Sequence, residues 1–320
     1  MLGPDGTEVP AVGAGEVSLA RAAARGIAAE DAVRALHAAL DAGLLVIDVA
    51  AEEDAERAAG DAVRSLHLRD RAIVTCRVPA IASARDLVRA VQPRVEASLR
   101  ATRLDALPLA LLPLRPAWRE ASAWAELRGT CARLVREGKV QRWGAILDGV
   151  DGAQDLLGDD WLVALAIPLS ACERAAEPLV AAAAEKHVAV LARRPLAGGA
   201  LAGSLGPGVP LPPNDDRRAL DPAALERIAA GVARLAAFTK RQPLAARSCD
   251  AARAQLERNP RIAELDCLTV AELALRFVID RGAIALPRLH RREHLAEAIS
   301  AASAPPLSTP ERIFSTLDEL

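Results

Sequence analysis

The 320-residue chain is 52% hydrophobic and carries 40 basic against 42 acidic residues, for a net charge of −2. That length can bury a large core, and the near-neutral balance gives no electrostatic reason to expect a nucleic acid or a membrane surface as partner. Two features exclude chemistry more sharply: the chain has no tyrosine, and its only lysines are Lys139, Lys186 and Lys240.

Such arginine-rich, lysine-poor usage fits a GC-rich bacterial genome, and its chemical consequence holds whatever the cause. Cys76, Cys131, Cys172, Cys249 and Cys267 form no CxxC pair, so neither a zinc ribbon nor a disulfide framework is suggested. Reduced thiols in a cytoplasmic setting fit better. The start, Met1–Gly6, lacks the basic and apolar regions of a secretory signal, and no 18-residue apolar run occurs elsewhere. A soluble, unexported chain is expected.

In chain order, Gly6–Pro10 reads as a turn and a short extended piece, a small N-terminal hairpin. Ala11–Glu16 (AVGAGE) reads as a Gly-broken strand that another backbone approaches closely. Ala29–Ala42 places Val33, Leu36, Ala39 and Leu40 on one helical face, with Gly43 at the stop. Leu44–Ile47 is a buried strand that delivers Asp48 to the rim of a sheet. Then follow a helix over Glu56–Leu66, a strand over Ala72–Val78, a helix over Ala84–Ser98 and a strand over Leu107–Leu112. The alternation continues with a helix over Ala121–Glu137, strands over Val140–Leu147 and Leu162–Ile167, a helix over Ala175–Lys186, and strands over His187–Ala192 and Ala283–Pro287.

Alternating strands and helices with short connections predict a parallel sheet of right-handed βαβ units. Eight strands over this length, with no Gly-rich dinucleotide turn after the first, favour a closed α/β (β/α)8 TIM barrel over an open sheet. One barrel domain spanning residues 1–320 is expected. The Gly/Pro-rich stretch Leu196–Pro222 has the length of a lid or binding loop.

Several segments together resemble the aldo-keto reductase family. Asp41-Ala-Gly-Leu-Leu-Val-Ile-Asp48 is similar to its second strand, Arg136-Glu-Gly-Lys-Val140 to the end of the helix before its fifth, and Pro195–Gly203 (PLAGGALAG) to its pyrophosphate loop. Leu268–Val278, Pro287 and Pro305–Ser308 resemble its closing helix, last strand and tail. The resemblance implies the family's barrel and an NADPH-dependent carbonyl reductase, in which a tyrosine donates the proton, a lysine tunes it, an aspartate orients the lysine and a histidine positions the substrate oxygen.

Only the aspartate matches that set, as Asp48. The tyrosine position falls on Glu53 if the loop is aligned without a gap, the lysine becomes Arg77 and the histidine becomes Pro113. Arginine stays protonated and reaches differently from lysine, and proline offers no donor. The nicotinamide contacts align with Ile146, Leu147, Ala166 and Leu169, and the adenine-end contacts with Arg288, His290 and Ala298. What survives is Gly198-Gly199, whose backbone N–H groups are expected to face an anion. Arg193, Arg194, Arg288, His290, Arg291 and Arg292 are expected to converge near it, or else to form a solvated basic rim.

These departures lead to an expected protein that has lost ordinary NADPH-dependent reduction. It would serve either redox-neutral elimination, isomerisation or cyclisation, or a non-catalytic role with a protein partner. Asp48 and Arg77 form either a structural ion pair or a carboxylate base with an anion clamp, with Glu53 as a second carboxyl beside Asp48. On this reading no cofactor is bound, with NADPH as the alternative if Glu53 acts as an unconventional acid. The five histidines show no metal spacing, so no metal is expected. Cys76 should point outward as a structural thiol, and the four tryptophans should pack.

Overall fold

Eight strands pair in parallel in the order β1 to β8, in a computed structural model that describes residues 6–120, 122–239, 269–307 and 313–315. They are β1 (Ala14–Val17), β2 (Val46–Val49), β3 (Ile73–Arg77), β4 (Leu109–Pro113), β5 (Trp143–Ile146), β6 (Leu162–Pro168), β7 (Ala189–Arg193) and β8 (Ile284–Leu286). The sheet closes on itself: Val12 bridges Ala285, and the N–H groups of Gly13 and Gly15 donate to the carbonyls of Ala285 and Pro287 at 2.9 and 2.7 Å. This is the expected (β/α)8 barrel.

Closure explains the glycines of the first strand. A Cβ on Gly13 would lie 2.3 Å from the Val46 carbonyl oxygen, and one on Gly15 only 1.9 Å from that of Leu286. Only glycine lets β1 fit between β2 and β8.

The helices outside the barrel are α1 (Leu19–Ala24), α2 (Ala29–Asp41), α3 (Glu53–Ser65), α4 (Ala84–Thr102), α5 (Ala123–Arg136), α6 (Ala153–Leu156), α7 (Glu177–Glu185), α8 (Pro222–Ala236), α9 (Val270–Asp280) and α10 (Arg292–Ser303). Helix α9 opens on a full capping box: the Thr269 hydroxyl accepts from Glu272 N–H, and the Glu272 carboxylate accepts from Thr269 N–H. The α3 helix starts three residues before the expected Glu56. Glu53, Asp54 and Glu56 crowd its first turn, where negative charge meets the positive end of the helix dipole. No expected element corresponded to α1; its six residues, LARAAA, are too few to show a periodic face, and Ser18 caps it by accepting from Arg21 N–H.

Alternation along the strands separates two apolar layers. Val46, Ile73, Leu109, Leu111, Ala164, Ala166, Leu191, Ile284 and Leu286 fill the barrel, whereas Ile47, Val74, Cys76, Ala110, Leu165 and Val190 face the helices. Among the described residues no helix is long and apolar enough to cross a membrane. Met1–Asp5, Ala121, Lys240, Cys249, Cys267, Leu268 and Ser308 lie outside the described residues.

Candidate active site at the barrel mouth

The inward parity of each strand continues to its C-terminal end, and there the apolar layers give way to charge. Asp48 follows Val46 inward, Arg77 follows Ile73 and Thr75, Arg193 follows Ala189 and Leu191, and Arg288 follows Ile284 and Leu286. They border a cavity of about 350 Å³, at the face where barrels of this kind place their chemistry.

Asp48 is 1% exposed and fully engaged. One carboxylate oxygen accepts from Thr75 Oγ1 and from Arg77 Nε, each at 2.8 Å. The other accepts from Arg77 Nη2 and, at 3.3 Å, from the backbone N–H of Glu16. The Arg77 fork is thus bidentate, the geometry in which arginine and a carboxylate bond most strongly. Arg77 is held from behind as well, its carbonyl accepting from Arg94 Nε at 3.1 Å.

A second carboxylate shares the mouth, and it is Glu16. It pairs with Arg288 Nη2, with Arg21 at 3.4 Å and with Arg77 Nη1 at 3.7 Å. Glu16 reaches inward because the register of β1 shifts between Ala14 and Val17 and its own φ is +42°. This bulge breaks the alternation that would have sent it outward.

Glu53 is placed elsewhere, which corrects its expected position beside Asp48. It lies on the exposed first turn of α3, bonded to Arg57 at 2.6 Å, in a groove between α3 and α4 on the outside of the barrel. Extension of α3 toward its acidic start takes Glu53 out of the loop that would have carried it into the mouth.

Arg193 reaches from β7 to β5, donating to the Leu147 carbonyl at 3.0 Å and to Asp148 at 3.4 Å. Burial first, and the nearby Arg77 second, lower its guanidinium from the ordinary value. Burial likewise lowers Arg288 to about 10, which leaves it charged at neutral pH.

The expected loop Leu196–Pro222 is built around Arg217. This guanidinium forks onto Asp215 and donates through Nη1 to the carbonyls of Gly198 and Ser204, both at 3.1 Å. The hydrogen bonds from Arg217 hold Asp215 down at about 2. Ala197, Gly198 and Gly199 follow one another at positive φ, and a Cβ on Gly199 would lie 2.3 Å from Ser204 Oγ. The Gly199 N–H is occupied by the Leu196 carbonyl at 2.9 Å, so it does not face an anion as expected; positive charge at this turn comes from side chains.

Among the described residues, Arg21, Arg25, Arg77, Arg193, Arg194, Arg217 and Arg288, seven arginines, line the cavity against two carboxylates, Glu16 and Asp48. A concave cationic surface with low-dielectric walls concentrates anions. Gly198, Gly199, Arg288 and His290 all border this cavity, as do Glu16, Arg21, Arg25 and Arg217, which sequence reasoning did not single out. Neither Lys139 nor Lys186 reaches the cavity: Lys139 pairs with Glu96 and Glu137 at 3.1 Å, and Lys186 caps α7. Cys76 faces the helices, and burial, followed by Glu56, raises its thiol well above the usual range.

The model of the aldo/keto reductase family matches residues 11–319. An aldo/keto reductase from Klebsiella pneumoniae in complex with NADP and acetate is 26% identical, with a TM-score of 0.65 over 99% of this chain and 93% of that chain. A Klebsiella pneumoniae aldo-keto reductase in complex with NADPH is 24% identical with the same TM-score and coverage. The glycerol dehydrogenase from Gluconobacter oxydans is 19% identical, with a TM-score of 0.72 over 100% and 93%. No curated protein sequence matches the chain. The expectation that no cofactor is bound is corrected on the 26%-identical Klebsiella protein, whose structure is a complex with NADP.

Proposed function

The chain belongs to the aldo/keto reductase family, and on that premise we propose that its mouth holds NADP(H) while the tyrosine-borne carbonyl reduction of the family is lost. One juxtaposition carries the reading. Seven arginines line the cavity that the Gly198–Gly199 turn borders, in a chain without a single tyrosine.

The cavity suits the phosphates of such a ligand. Arg21, Arg25, Arg194 and Arg288 supply charge, and Arg217 fixes the turn. When bound, the cofactor supplies a hydride donor or acceptor; the proton must come from the chain. The described mouth offers no neutral acid for that task. Arg77 stays protonated and is committed to Asp48, Pro113 at the end of β4 has no donor, and Glu53 lies outside the barrel. Asp48 already accepts four hydrogen bonds, so its role in this reading is to anchor Arg77. Redox-neutral proton transfer in the mouth would fall to Glu16, whose carboxylate is shared among three arginines.

Calorimetric titration with NADPH and NADP⁺ tests the binding half. Saturable binding is expected, weakening as salt screens the arginines, with a loss of about tenfold or more in Arg288→Ala, the size of a charge-assisted contact. Absence of heat and of saturation at millimolar dinucleotide would refute the reading.

A further inference from the structure

A second cavity, of about 370 Å³, lies on the outside of the barrel between α3 and α4 and shares no lining residue with the mouth. Its charged walls are Glu53, Glu56 and Arg57 from α3, with Arg94, Arg100 and Arg103 from α4 and its C-terminal cap. Two of the four guanidinium groups are already committed. Arg57 bonds Glu53 at 2.6 Å and Asp54 at 3.1 Å, while Arg94 bonds Glu56 through Nη2 and the Arg77 carbonyl through Nε. Arg100 and Arg103 are exposed, and their side chains make no hydrogen bond or ion pair among the described residues. Arg100 acts on Glu96 only from a distance, and Glu96 is itself bonded to Lys139 and Gln92. With Arg57 set against Glu53 and Arg94 against Glu56, two positive charges remain in one concave space, which favours a dianion.

The floor of the groove adds a second demand. Glu56 is 0% exposed. Its Oε1 accepts from Arg94 Nη2 and, at 2.8 Å, from Ser98 Oγ, whereas Oε2 has no hydrogen-bond partner among the described residues. The Cys76 thiol beside it is a weak donor. A buried, charged oxygen without a good donor is costly, so a donor is wanted at this point. Most ligands meet only one demand. A metal ion or an ammonium group suits Oε2 but faces four guanidinium groups. A fully ionised oxyanion such as sulfate suits the arginines but sets a lone pair against Oε2. Hydrogen phosphate meets both, because at neutral pH it combines negative charge and acceptor oxygens with one remaining O–H.

We infer that the groove between α3 and α4 is a binding site for hydrogen phosphate, with Arg100 and Arg103 holding its charge and Glu56 Oε2 accepting from its O–H. The phosphate binds intact, and no covalent bond changes. Selection against sulfate is thus set by the floor, and affinity by the two uncommitted arginines. None of this depends on what occupies the mouth.

The test is calorimetry of the full chain with inorganic phosphate and with sulfate, at about 0.15 M chloride to screen weak surface attraction. The arginines of the mouth also draw anions, so the groove is read from the difference between the wild type and Arg100→Gln/Arg103→Gln, both exposed positions. One phosphate-binding event per chain is expected in the wild type and should weaken about tenfold or more in the double variant, the size of a charge-assisted contact. Sulfate should titrate alike in the two proteins. Methyl phosphate at pH 8, similar in shape but mostly a dianion without an O–H, should behave as sulfate does. Identical phosphate titrations of the two proteins would overturn the site. Sulfate or methyl phosphate binding that weakens in the double variant as far as phosphate binding does would overturn the recognition by Glu56, and the inference with it.

Discussion

Arg77→Met isolates the energetics of the mouth, because it removes the guanidinium while keeping most of the stem. Asp48, 1% exposed, would retain Thr75 Oγ1 and the Glu16 N–H but lose both donors of the fork. Glu16 would still have Arg288 and Arg21, so the stranded charge is that of Asp48. Breaking a buried pair from one side costs about 3–5 kcal/mol. With an unfolding entropy of about 2.1 cal/mol/K per residue over 320 residues, that loss lowers the melting temperature by about 4–7 °C. Adding Asp48→Asn removes the stranded charge, so the double variant should regain most of the difference. Thermal melts of the wild type, both single variants and the double variant measure this. A single variant melting within about 1 °C of wild type, or a double variant no better than the single, would refute the account of the pair.

Two glycines should respond with opposite signs to alanine. Gly15→Ala forces a Cβ against the Leu286 carbonyl and should cost about 3 kcal/mol, the upper part of the overpacking range. Gly129→Ala, within α5 and with nothing inside 4 Å of the added Cβ, should gain about 0.5–1 kcal/mol; denaturant midpoints of the two variants decide. Asp215 is held at about 2 against its usual 3.8. Its contribution to stability is present above the unfolded value and is lost as pH falls through the folded one. The advantage of wild type over Asp215→Asn should accordingly shrink between pH 4 and pH 2, and a gap that stays constant in acid-unfolding curves would contradict the Arg217 assignment. Burial raises the thiols of Cys76 and Cys131 well above the usual range and Cys172 to about 11. In a Cys249→Ser/Cys267→Ser chain at pH 8, a disulfide reagent should meet no thiol reacting like a free cysteine until denaturant is added. Rapid labelling of Cys76 in the folded chain would count against its placement.

Much of the mouth was legible because strand alternation has a fixed period. The run before Asp48 reads as a buried strand that ends at the rim, and in the folded barrel the same alternation aims Asp48, Arg77, Arg193 and Arg288 at the axis and Cys76 at the helices. Glu16 was missed because a bulge at positive φ cancels that rule, and the pairing with β2 that imposes the bulge is not a local property of AVGAGE. Glu53 was misplaced because a helix start can be early or late by a few residues, and here three acidic side chains favour the earlier one. In sequence the loop after β7 stands out by its glycine and proline content. Its order comes from Arg217 bonding back to Gly198 and Ser204, contacts that need the folded chain before either partner can be recognised.

The central claim is that this mouth binds the nicotinamide cofactor without the acid that ordinary carbonyl reduction uses. It is tested most directly by holding the protein at saturating NADPH, adding an excess of short aldehydes and ketones, and following the absorbance of the bound reduced nicotinamide. A bound signal that persists through the addition is the predicted result. Decay at an enzymatic rate with alcohol formed in equal amount, and retained in Glu53→Gln, would contradict it and require a proton donor in the mouth that the arginine–carboxylate network does not supply.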